Sequence, residues 1–155
     1  MIKLFVMDVD GTLTDGKIYI GSNGELMKAF NVKDGLGITK LIKANIIPVI
    51  LTGRKSEIVL ERAKELNITQ VYQQISDKPT KLKEIAQNHN CDISQIAYIG
   101  DDENDIESMN ICGLKACPSD AIESVKMVSD FICSKEGGNG AVREFIEFIL
   151  KEQSI

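Results

Sequence analysis

The run IIPVILT at residues 46–52 has six apolar residues in succession, with no polar face. A strand of this kind must be covered on both sides, which places it inside a parallel sheet with helices on each face. Shorter runs of similar character recur: IKLFVM at 2–7, QVYQ at 70–73, IAYI at 96–99, LKAC at 114–117 and DFIC at 130–133. Segments of helical length separate them, at 35–45, 55–67, 78–90, 103–111, 119–128 and 141–152. Strand and helix therefore alternate, as in successive βαβ units. The last segment carries apolar residues at 142, 145, 146, 149 and 150, one continuous helical stripe. Ser56 is placed to cap one helix, and Pro79 is tolerated in the first turn of another. Between the first two core strands, KIYI, GSNG and ELMKAF read as a β-hairpin inserted at about 17–30.

The expected fold is a doubly wound, Rossmann-like, three-layer α/β sandwich. It has a mainly parallel central sheet, a hairpin insertion after the first strand and one domain over residues 1–155. Such sheets bind ligands beyond the carboxyl ends of their strands. The polar residues at those ends are therefore the ones to examine.

The first strand runs into VMDVDGTLTDG. Asp8 and Asp10 are two apart in extended chain, so both carboxyl groups face the same way. Their repulsion would be relieved by a hard divalent cation, and Mg²⁺ is commonly held by one or two carboxylates with phosphate and water. The run ILTGRKSE ends its strand at Thr52-Gly53, where a hydroxyl and free N–H groups can receive a phosphoryl oxygen. YIGDDENDIES sets Asp101, Asp102 and Asp105 after another core strand. There they either favour the following helix through its dipole or complete a cation site with Asp8. Lys78 opens a helix, where a cation is mildly unfavourable, which suggests a task elsewhere such as neutralising phosphate. His89 falls on the stripe Leu82, Ile85, Ala86, His89, and partial packing is expected of it rather than catalysis.

Composition narrows the classes. Eighteen basic residues against 23 acidic ones give a net charge of −5, which argues against a general nucleic-acid or anionic-membrane binder. No apolar stretch approaches the roughly 20 residues of a membrane span, and the N-terminus lacks signal-peptide features. The four cysteines form no C-x-x-C pair. Reduced thiols and a cytoplasmic location are expected.

Taken in order, D-x-D-G-T, a strand-end threonine, a lysine and G-D-D-x-x-D resemble the haloacid dehalogenase superfamily of phosphohydrolases over essentially the whole chain. FNVKDGLGI, TGRKSEIV, AYIGDDENDI and GGNGAVREF are similar, more narrowly, to the small capless phosphatases of 3-deoxy-2-ulosonic acid phosphates. The absence of a cap fits the short interval between Asp10 and Thr52.

The resemblance implies an aspartyl-phosphate mechanism. Asp8 is then the nucleophile and Asp10 the general acid–base. Mg²⁺ is bound by Asp8, the Asp10 carbonyl and Asp101, while Asp102 and Asp105 support that shell and orient Lys78. Thr52 and the Gly53 amide hold phosphoryl oxygens. Arg54 and Arg62, eight apart and near one face if the stretch is helical, are expected to bind the sugar-acid carboxylate; for Arg62 a surface role fits equally. Lys33 and Asp34 are expected at the pocket entrance.

The resemblance also implies a homotetramer whose hairpins close neighbouring sites, although a hairpin folded back on its own core fits the residues too. The EGGNG loop at 136–140 either reaches an adjacent site or serves as a flexible connection. Relatives acting on the nine-carbon nonulosonate 9-phosphate tend to carry Glu where this chain has Arg54. The residue therefore points to 3-deoxy-D-manno-octulosonate 8-phosphate. The other classes open at this point are a phospho-acceptor domain and an assembly module without turnover.

Overall fold

The central strand β1 (Leu4–Met7) is buried on all four residues. In the computed structural model, which describes residues 1–153, it pairs in parallel with β4 (Ile47–Leu51) on one side and β6 (Ile96–Ile99) on the other. β5 (Gln70–Tyr72) extends one edge, and β7 (Leu114–Cys117) and β8 (Phe131–Ile132) extend the other. The order is β5-β4-β1-β6-β7-β8, with every pairing parallel. The unbroken apolar runs thus occupy the positions covered on both faces.

Two helical layers cover the sheet. α1 (Val32–Lys43), α2 (Glu57–Glu65) and α6 (Ala141–Glu152) bury Ile38, Leu41, Val59, Phe145, Ile146 and Ile149 against one face. α3 (Lys78–Asn88), α4 (Ile106–Ile111) and α5 (Glu123–Val128) bury Leu82, Ile85, Met109 and Val125 against the other. α6 spans the expected residues and buries Ala141 together with the whole predicted stripe.

Local signals explain several helix starts. Ser56 Oγ accepts the Val59 N–H at 3.3 Å and caps α2. Asp77 caps α3 through the Thr80 N–H at 3.2 Å, with Pro79 in the first turn. α1 begins at Val32, three residues before the expected start, because the Asn31 side chain accepts the Lys33 N–H at 2.8 Å. α5 begins later than expected, at Glu123, because a turn closed by Ala121 N–H to Pro118 O precedes it. His89 follows α3, half-buried, with Nε2 3.3 Å from Gln70 Oε1.

The inserted hairpin is β2 (Tyr19–Gly21) paired antiparallel with β3 (Gly24–Met27). Ile20, Leu26 and Met27 on it are exposed. The EGGNG loop is packed within its own chain: the Gly138 N–H donates to Thr12 O at 3.1 Å. A Cβ at Gly137 would collide with Gly11 O. Glycine is required there by a close backbone approach.

Candidate active site

The loop after β1 is wired before any side-chain chemistry is added. Val9 O accepts from the N–H groups of Thr12, Leu13 and Thr14 at 3.1, 2.9 and 3.0 Å. Thr14 Oγ1 accepts from the Gly11 and Gly16 N–H groups at 3.2 and 3.1 Å. Gly11 has φ +89°, and a Cβ there would collide with Asp101 Oδ2. The glycine of the D-G-T run therefore admits a carboxylate arriving from β6. Thr12 Oγ1 donates to Asp101 Oδ1 at 3.2 Å and fixes it.

Asp8 and Asp101 follow adjacent strands, β1 and β6, with Asp8 N–H bonded to Ile99 O. Lys78 enters from the start of α3. Its side chain is 1% exposed, and Nζ lies 3.1 Å from Asp8 Oδ1 and 2.9 Å from Asp105 Oδ1. Asp8, Asp101 and Asp105 each offer a carboxylate oxygen, all within 4.8 Å of one another. Like charges about 4 Å apart repel by roughly 4 kcal/mol at an effective dielectric near 20. One buried ammonium cannot balance three carboxylates.

The titration behaviour follows from that imbalance. Burial, then the charge of Asp105, raises the Asp8 carboxyl to about 6, against the opposing pull of Lys78. Burial and the neighbouring Asp8 push Asp101 up to about 9. Burial alone would lower Lys78; the charges of Asp8 and Asp105 reverse this and raise it. The protein thus holds oxygen ligands together at a cost that a divalent cation would remove, and an all-oxygen donor set suits Mg²⁺.

Asp105 lies within reach of that cation, but four donors already occupy its oxygens. Lys78 Nζ at 2.9 Å and the Tyr98 hydroxyl at 2.6 Å bind Oδ1, while the Asp101 and Asp102 N–H groups bind Oδ2 at 3.0 and 3.3 Å. It is therefore suited to hold Lys78 and the Asp101 backbone in place, which leaves the Asp8 and Asp101 carboxylates as the side chains that could hold a cation.

Asp102 does not share the task expected of it. It is exposed, and its carboxylate accepts the Glu103 N–H at 2.7 Å, capping the short 3-10 turn Glu103–Asp105. That turn carries Asp105 inward and Asp102 outward. Thr52 is buried at the end of β4, with its N–H on Tyr72 O and its carbonyl accepting from Ile75. Gly53 follows it, exposed, and a Cβ there would meet Ile75 O at 3.7 Å, an ordinary contact.

The expected carboxylate-binding arginines do not share a helical face. α2 starts at Glu57, so Arg54 lies ahead of it, exposed in the loop. Arg62 is on α2, but Nη1 pairs with Glu65 at 3.1 Å, Nη2 donates to Asn31 O at 3.3 Å, and the guanidinium lies 5.6 Å from the Phe30 ring centre. Asp34 is not at an open entrance either. It is 2% exposed, and its Oδ1 accepts the Arg143 N–H of α6 at 2.9 Å. Lys33 is exposed, and its carbonyl accepts from Arg143 Nη1 at 3.1 Å.

Sequence reasoning missed Lys28. Its Nζ lies 2.7 Å from Asp10 Oδ1 and 3.0 Å from Glu25 Oε1, with the side chain 3% exposed. Tyr98 was also missed. Nothing local in LMKAF or IAYI marks either one.

Residues 68–146 match the haloacid dehalogenase-like hydrolase family. The chain is 42% identical over 152 residues to the 3-deoxy-D-manno-octulosonate 8-phosphate phosphatase of Yersinia pestis, covering 98% of this chain and 81% of that protein. The enzyme of the same name from Escherichia coli K12 is 40% identical over the same shares. The crystal structure of the Yersinia enzyme superposes with a TM-score of 0.96, covering 99% of this chain and 83% of that one. The Moraxella catarrhalis phosphatase, in complex with a magnesium ion, a phosphate ion and a KDO molecule, is 46% identical with a TM-score of 0.96, covering 99% and 88%. This chain therefore belongs to the haloacid dehalogenase-like hydrolases, in the branch that contains these octulosonate-phosphate phosphatases.

Proposed function

We propose that this chain is a Mg²⁺-dependent phosphatase of a phosphorylated 3-deoxy-2-ulosonic acid, with 3-deoxy-D-manno-octulosonate 8-phosphate as substrate. The observation that carries the reading is the buried Asp8–Lys78–Asp105 network beside Asp101, with Asp10 two residues from Asp8. Relatives at 40–42% identity that bear this activity, and the magnesium-bound structure of one at 46%, support it. Whole-chain similarity supports treating residues 1–155 as one phosphohydrolase unit.

Asp8 attacks phosphorus, forming an aspartyl phosphate as the bond from phosphorus to the sugar oxygen breaks. Asp10 gives its proton to the departing alkoxide, then takes one from the water that hydrolyses the aspartyl phosphate. Inorganic phosphate leaves and Asp8 is regenerated. The Thr52 hydroxyl and the Gly53 N–H hold phosphoryl oxygens. Lys78, kept charged by Asp8 and Asp105, stabilises negative charge on the transferring group. Mg²⁺, held by Asp8, the Asp10 carbonyl and Asp101, supplies positive charge to the phosphoryl oxygens when bound.

Arg54, exposed in the loop ahead of α2, is assigned to the substrate carboxylate through its planar fork; Arg62, tied to Asn31 and Glu65, is not. The exposed hairpin residues Ile20, Leu26 and Met27 support a homotetramer in which hairpins of neighbouring copies cover the sites. The cytoplasm is the proposed compartment, in keeping with four free cysteines, three of them buried. Among the described residues no helix is long and apolar enough to cross a membrane.

A panel of sugar-acid phosphates assayed with Mg²⁺ tests the reading, with kcat/KM highest for the eight-carbon compound. A preference for the nine-carbon acid would move the substrate assignment, and a single turnover without recycling would make the chain a phospho-acceptor. Asp8→Asn is expected to abolish turnover with the circular dichroism spectrum unchanged; an active variant would remove the nucleophile assignment.

A further inference from the structure

β3 is the most exposed strand of the molecule, yet one side chain near its end turns inward. Leu26 and Met27 are 66% and 48% exposed, while the Lys28 side chain after them is 3% exposed. Its ammonium meets Asp10 Oδ1 at 2.7 Å and Glu25 Oε1 at 3.0 Å. Glu25 Oε2 accepts from Ser56 Oγ at 2.6 Å, and Ser56 in turn caps α2. A continuous polar chain, Asp10–Lys28–Glu25–Ser56, thus joins the loop after β1, the hairpin and a helix of the core.

Lys28 is placed to do more than fasten the hairpin. An aspartate side chain has two soft torsions, and an unpartnered one populates several rotamers. A charge-assisted hydrogen bond to one oxygen selects among them. A buried ammonium is costly unless paired, so Lys28 and Asp10 each constrain the other. A carboxyl protonated on Oδ2 still accepts the Lys28 hydrogen bond on Oδ1, so the contact persists in both protonation states.

Building on the proposed phosphatase activity, we propose that Lys28 is a positioning residue for the acid–base carboxylate: it anchors Asp10 Oδ1 and leaves Oδ2 as the oxygen that exchanges the proton with the sugar alkoxide. As the Asp8–phosphorus bond forms and the phosphorus–sugar oxygen bond breaks, that proton passes from Asp10 Oδ2 to the sugar oxygen. Lys28 touches neither substrate nor phosphorus; it acts through Asp10.

Leaving-group dependence separates this role from simple support. An alkoxide needs the proton, whereas p-nitrophenolate departs without one. kcat/KM covers the steps up to release of the alcohol, so the comparison isolates proton donation. The experiment measures kcat/KM of wild type, Lys28→Met and Lys28→Arg with saturating Mg²⁺, on 3-deoxy-D-manno-octulosonate 8-phosphate and on p-nitrophenyl phosphate. Lys28→Met is expected to lose about 100-fold on the sugar phosphate and less than about threefold on the aryl phosphate, the scale of acid catalysis by one group. Lys28→Arg, which keeps a donor, is expected to recover most of the loss. Equal losses on both substrates, no loss on either, or failure of arginine to recover activity would each overturn the proposal. A wild type that turns over neither substrate would overturn the phosphatase reading itself, and that arm is read before any variant.

Discussion

Asp34 should make the stability of this protein fall as pH rises, in a way that one substitution removes. The residue sits on α1, 2% exposed, and its Oδ1 accepts the Arg143 N–H in the first turn of α6. α6 has glycine, Gly140, at its own N-cap. Asp34 therefore caps that helix from a neighbouring one, satisfying a donor that a glycine side chain cannot reach. Its second oxygen, Oδ2, is buried and has no hydrogen-bond partner among the described residues, and Asp34 lines a cavity of about 10 Å³ with Arg62, Phe30 and Leu13.

Burial raises the Asp34 carboxyl from 3.8 to about 6, although the Arg143 N–H and the charges of Arg62 and Arg143 pull it down. Below 3.8 the group is protonated in both folded and unfolded chains and costs nothing. Between 3.8 and 6 the unfolded chain ionises first, so stability declines as pH rises; above 6 the penalty is complete. At about 1.4 kcal/mol for each tenfold change in acidity, the loss is on the order of 3 kcal/mol.

Asp34→Asn keeps the acceptor and removes the titration. Its amide adds a constant offset from altered hydrogen bonding, of about 1–3 kcal/mol, that does not change with pH. The slope is therefore the prediction. Urea unfolding of both proteins at pH 4, 5, 6, 7 and 8 should show the variant gaining on the wild type by about 2.4 kcal/mol across the series, with most of the gain complete by pH 7. Other titrating groups cancel in the difference where they lie far from residue 34. A difference that stays flat across that range would refute the buried, charge-penalised state of Asp34.

Two further predictions concern the cation and the assembly. With Asp101 at about 9 in the metal-free protein, Mg²⁺ binding at pH 7.5 should release about one proton, because a ligating carboxylate must be deprotonated; calorimetric titration in buffers of different ionisation enthalpy reads the proton directly, and zero release would contradict the acid pair. Light scattering should give four times the chain mass, and a double change of Ile20 and Leu26 to aspartate should lower both mass and activity; a fully active monomer would remove the hairpin from the site.

What could be read from the chain, and what could not, divides along a physical line. β1, β4 and β6 are legible because a strand buried on both faces leaves no freedom in its pattern, and Asp8, Thr52 and Asp101 are legible because each lies within two residues of the end of such a strand. Their convergence follows from parallel pairing alone. α6 is legible for the same reason, with six buried positions at helical spacing.

The residues that orient those groups obey no such period. Asp102 and Asp105 look equivalent in GDDEND, and only the 3-10 turn decides that Asp105 goes inward to Lys78 and Tyr98. Arg54 and Arg62 suggest one helical face, until the Ser56 cap starts α2 beyond the first of them. Lys28 is hardest to find, because its contact with Asp10 depends on the twist and register of a two-stranded insertion, where β2 and β3 pair irregularly between Tyr19 and Ile20. A sheet interior fixes which atoms may react. The hairpin, whose sequence constrains it least, sets how Asp10 is held through Lys28.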